Sequence, residues 1–103
     1  MSDELVLTEP AGTISVPAAT LSQIIVRAAE AVDGARVRRP RRSVDVDVGG
    51  ASAAVSLRLA ARYGAILPEL AGAVQREVAA ALERMCGLEA RTVDVAVEEL
   101  VER

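Results

Sequence analysis

Histidine, lysine, tryptophan and phenylalanine are missing from this 103-residue chain. Without histidine there is no imidazole to act as a general base near neutral pH and no histidine metal ligand. Tyr63 is the one aromatic residue, so the chain has no platform on which to stack a base, a sugar or a flat cofactor. Cys86 is the one cysteine, which excludes an internal disulfide and fits a reducing compartment. No apolar run approaches the roughly 20 residues that span a bilayer. Met1-Ser2-Asp3-Glu4 lacks the basic-then-apolar pattern of a signal peptide. A cytoplasmic protein is expected, with any association with a membrane held through a partner.

What is present is aliphatic: 51% of the residues are hydrophobic, and alanine and valine carry much of that share. A chain of this length forms one domain and buries about two thirds of its unfolded surface without a disulfide or metal staple. The formal charge is −3. That balance argues against a general polyanion binder, which is usually basic as a whole.

Residues 1–11 begin polar and end in Glu9-Pro10-Ala11, which reads as a flexible arm that docks late; residues 12–103 form the domain. Gly12-Thr13-Ile14-Ser15-Val16 alternates as a short strand. Leu21, Ile24, Ile25, Ala28, Ala29 and Val32 fall on one face of a helix over about 17–33, opened by Pro17 and stopped by Gly34. Val44, Val46 and Val48 alternate with acids, Gly49-Gly50 turns the chain, and Val55, Leu57 and Leu59 alternate again, which predicts a β-hairpin. Only an even loop keeps both valine and leucine rows on one face without a bulge. Ile66, Leu67, Leu70, Ala71, Val74, Val78, Ala81, Leu82 and Met85 line one face of a second helix, which starts near Gly64 and ends at Gly87. A last strand runs over about 92–98 with Val93, Val95 and Val97 inward.

The order strand, helix, strand, strand, helix, strand predicts an α+β two-layer sandwich, with both helices on one face of a small, mostly antiparallel sheet. A split βαβ arrangement is its simplest closure. The other sheet face carries Asp45, Asp47, Ser56, Arg58, Asp94 and Ala96.

Gly12-Thr13-Ile14-Ser15-Val16, the helix end Ala28-Ala29-Glu30-Ala31-Val32-Asp33-Gly34, then Tyr63-Gly64, Val74-Gln75 with Val78, Gly87-Leu88 and Val93-Asp94-Val95-Ala96-Val97 together resemble the bacterial alkaline shock protein family, the envelope stress response or Gls-type general stress proteins. The resemblance covers about residues 12–99. It implies a small cytoplasmic protein of stress or cell-envelope homeostasis, without a known enzymatic reaction, in a family where some members work at the membrane through an integral-membrane partner. The chain departs from the family in Ala35, where a larger aliphatic is common, and in its arginine-rich segment. No ligand site is carried over.

Arg36, Arg38, Arg39, Arg41 and Arg42 are the leading candidates for contact with an acidic partner or an anion, because guanidinium groups make paired hydrogen bonds to such oxygens. Set against this is a solvated loop that keeps a strand edge from pairing. Tyr63 either closes the end of the core or anchors a partner interface, and Gln75 either bonds a neighbouring loop backbone or makes an oligomer contact. Cys86 lies at a helix C-terminus without the positive surroundings that activate a thiol, and reads as structural. Asp45 and Asp47 read as solubilising alternation. Gly49-Gly50 is a turn, since a phosphate loop needs a following helix. The expected function is a non-enzymatic interaction or scaffold domain, a homo-oligomer or a docking module for a membrane-protein partner, with no cofactor or metal. The competing reading is a module that binds nucleic acid or an anionic ligand through the arginine run.

Overall fold

The computed structural model describes residues 4–9 and 12–102. The elements are β1 (Glu4–Glu9), β2 (Gly12–Pro17), α1 (Ala18–Glu30), β3 (Ala35–Arg36), α2 (Pro40–Ser43), β4 (Val44–Gly49), β5 (Ser52–Arg62), α3 (Leu67–Cys86) and β6 (Glu89–Val101). The fold is α+β, with α1 and α3 packed over one face of a mixed sheet.

Strand β5 is the centre of that sheet. β3 and β4 pair antiparallel with it on one side, and β6 runs parallel to it on the other. The hairpin register is the one that the alternation predicts: Val44 faces Leu57, Val46 faces Val55, and Gly49 faces Ser52, leaving the two-residue turn Gly50-Ala51. α3 then carries the chain back over the sheet so that β6 starts level with β5. A crossover helix is what a parallel neighbour requires.

Apolar spacing builds the core. Leu21, Ile25 and Ala29 of α1 and Leu70, Val74, Val78 and Leu82 of α3 are buried against Val55, Leu57 and Leu59 of β5. Each buried Leu, Ile or Val contributes about 1.5–3 kcal/mol. Val93, Val95 and Val97 of β6 are half-buried at the margin of this core. At the end of α3, Gly87 takes the left-handed conformation at φ 66°, its N–H donates to the Glu83 carbonyl, and Leu88 folds back into the core.

Three expectations are corrected. Gly12–Pro17 does not enter the sandwich: it pairs antiparallel with Glu4–Glu9 in a separate two-stranded sheet. Both sides of β5 are already occupied, by β3 and β4 and by β6, so the split βαβ closure has no central slot for this strand. The segment read as an arm is a strand over residues 4–9, while residues 1–3, 10 and 11 lie outside the described residues. Ile66 and Leu67, placed on the core face of α3 by their spacing, are exposed, because they precede the first turn that reaches the sheet at Leu70. Met85, in the last turn of the same helix, is exposed as well.

Candidate functional site: the arginine segment and the open sheet face

Arg36 faces Ala60 and Val44 faces Leu57, so the seven residues 37–43 stand opposite only Arg58 and Leu59. The surplus chain leaves the sheet as a loop and the short helix α2. Pro40, at the start of α2, has no N–H to offer a strand there. Val37 pins the loop: its side chain is buried, and its N–H donates to Oε2 of Glu30 at 3.0 Å. Arg36, Arg38, Arg39, Arg41 and Arg42 all remain exposed around that anchor.

Arg58 ties the segment to the open sheet face. Its guanidinium donates to the Arg42 carbonyl, lies 3.6 Å from Asp45 and 3.8 Å from Glu98. Arg38 lies 3.4 Å from Glu99 of β6. Among the described residues, Arg39, Arg41 and Arg42 reach no carboxylate. Between these groups lies an open groove of about 460 Å³, lined in part by Arg38, Arg39, Arg58, Glu98 and Glu99. The alternating charges suit a partner that presents both signs, and they weaken the field that a polyanion would meet. At the far end of β5, Arg62 grips Asp33 with two bonds, of 3.1 and 2.5 Å. The hydrogen bond from Arg62 and its charge, with a smaller contribution from Arg36, hold the Asp33 carboxyl below the ordinary value.

The structure does not gather the sequence candidates into one site. Tyr63 is 72% exposed and does not close the core. It stands just past the end of β5, where its N–H donates to the Val101 carbonyl. Gln75 donates through Nε2 to the Val93 carbonyl at 3.0 Å, so its partner is strand backbone and not a loop. Arg58, Glu98 and Glu99 join the site without belonging to the sequence candidates. Arg58 is legible in the sequence as an outward strand residue, but the groups it joins on β6 depend on a parallel register that no local pattern encodes.

Cys86 is buried, and burial pushes its thiol up, away from the thiolate that a nucleophile needs. Among the described residues no cluster of His, Cys, Asp or Glu is arranged to hold a metal, and no helix is long and apolar enough to cross a membrane.

Two solved structures share this fold. A triply substituted variant of the MamM CTD aligns at a TM-score of 0.54 and 18% identity over 79% of this chain and 93% of that chain. A zinc form of a singly substituted MamM CTD aligns at 0.51 and 19% identity, over 79% of this chain and 84% of the other. At such identities the likeness extends to the fold alone. A comparison with curated proteins finds no match. The family model that matches residues 35–102 takes in the arginine segment, the hairpin, α3 and β6, and it is described as the ASP23 family, of cell envelope-related function. The chain belongs to this alkaline shock protein family.

Proposed function

We propose that the protein is a non-enzymatic interaction domain of bacterial envelope stress response, which associates with itself and docks onto a protein partner at the membrane. The observation that carries this reading is the arginine segment. It is anchored by buried Val37 and bonded through Arg58 to the open sheet face, while its guanidinium groups stay in water. The family's cell envelope-related description supplies the setting.

Pull-down from native membranes with the intact chain and with Arg38, Arg39, Arg41 and Arg42 all changed to Ser tests the proposal. The expected result is loss of a membrane-protein partner in the variant, with the thermal melt retained. Loss of co-purified nucleic acid instead would establish the competing reading, which Glu98 and Glu99 in the groove disfavour.

A further inference from the structure

β6 is 13 residues long and pairs with β5 along one edge. Its register skips one residue at Arg91 and another at Glu98, so two bulges bracket a regular stretch over residues 92–97. The hydrogen bonds at its two ends reveal which backbone groups point away from β5. The Glu89 N–H donates to the Ala51 carbonyl, and the Val101 carbonyl accepts from Tyr63, so both residues turn their backbone toward the β5 side. Counting inward from either end and allowing for one extra residue at each bulge, Thr92, Asp94 and Ala96 bond β5. Val93, Val95 and Val97 therefore aim their N–H and C=O groups at the outer edge. The Gln75 side chain on the Val93 carbonyl agrees with that count.

We infer that this outer edge pairs antiparallel with the same edge of a second copy, about a two-fold axis at Val95. This rests on the proposed self-association and assigns it a surface. In that register Val95 faces Val95 of the second copy, Val93 faces Val97, and all three outward residues are used. Charge selects the arrangement. Arg91 lies at one end of the stretch and Glu98 and Glu99 at the other, so antiparallel pairing sets Arg91 of each copy beside the acids of its mate, twice over. Asp94 meets Ala96, and no like charges stand directly opposite. Self-pairing along the opposite edge of the sheet, β4, about its middle would set Asp45 against Asp47. The regular stretch also lacks the proline or lysine that commonly blunts an exposed edge. The Gln75 bond is no obstacle, since a carbonyl oxygen accepts two hydrogen bonds.

Sedimentation velocity across a concentration series, on the full chain, tests the assignment. The native chain is expected to form a dimer, and Val95→Pro to abolish it while keeping the far-ultraviolet spectrum, because the N–H that proline removes bonds nothing within the protomer. Arg91→Glu should raise the dimer dissociation constant roughly ten-fold, and adding Glu99→Arg should restore it. Should Val95→Pro misfold, mixing Asp94→Cys chains with Ala96→Cys chains under mild oxidation keeps the test open, and a crosslink that neither chain forms alone is expected. A native chain that stays monomeric to about 100 µM, weaker than the micromolar end of standard interfaces, overturns the inference. That result leaves the partner pull-down standing. A folded Val95→Pro chain that still dimerises also overturns it, and shows that self-association uses another surface.

Discussion

Leu82 and Asp33 illustrate how differently two side chains bear on this fold. Leu82 is fully buried between α3 and the sheet. A carboxylate placed there would have no partner and would cost several kcal/mol, against a net stability of about 5–15 kcal/mol for a domain. Leu82→Asp is expected to remove the cooperative thermal transition seen by circular dichroism. Asp33 sits in water, bonded to Arg62, with its folded pKa held below the ordinary 3.8. A depressed carboxylate stabilises the fold fully above its unfolded value and loses that contribution as pH falls from about 3.8 through the folded value. Denaturant unfolding from pH 6 down to 2 should therefore show a slightly weaker acid dependence in Asp33→Asn than in the native chain. The difference should be small, because water screens an exposed pair. Residue identity alone left both partners of this pair unmarked: Asp33 and Arg62 are 29 positions apart, and only the fold sets them together. Leu82, in contrast, was legible as core because it recurs in step with Leu70, Val74 and Val78.

The elements form where local patterns agree with tertiary demand, and differ where they do not. The hairpin of β4 and β5 needed no context: alternation set which side chains face inward, and an even loop followed from it. The arginine segment reads from sequence as an interruption, since proline and clustered arginines break both periods. What the pattern could not reveal is that Val37, one valine among arginines, turns inward and takes Glu30 of α1 as an acceptor. Glu30→Ala is expected to speed hydrogen exchange of the Val37 amide by roughly ten-fold, the worth of about one net hydrogen bond, and to leave the Val55 amide in β5 unchanged. Equal acceleration at both amides would show that Glu30 supports the whole domain. The bulges at Arg91 and Glu98 fall where two polar residues stand side by side, Arg91-Thr92 and Glu98-Glu99, and interrupt the alternation. What alternation along a single strand does not record is which neighbour it pairs with, and only beside β5 do these extra residues become bulges.

At the scale of the molecule, the hairpin of β1 and β2 pairs within itself, while the sheet centred on β5 holds the core. Removing residues 1–9 should shift the thermal midpoint of the remaining chain by no more than a few degrees, about 1 kcal/mol. A collapse of the transition would mean that the hairpin completes the core. The family match begins at residue 35 and so takes in the sheet centred on β5 but not the hairpin of β1 and β2. By itself the amino-acid sequence determined two helices, an aliphatic interior and the absence of histidine chemistry, because periodicity and residue type act over a few neighbouring positions. Only the tertiary structure decided that Gly12–Pro17 stays outside the sandwich, that β6 runs parallel to β5, and that Arg38 and Arg58 meet Glu98 and Glu99. Those outcomes depend on which strand edges are already occupied when distant segments compete for them, and no stretch of chain carries that information alone.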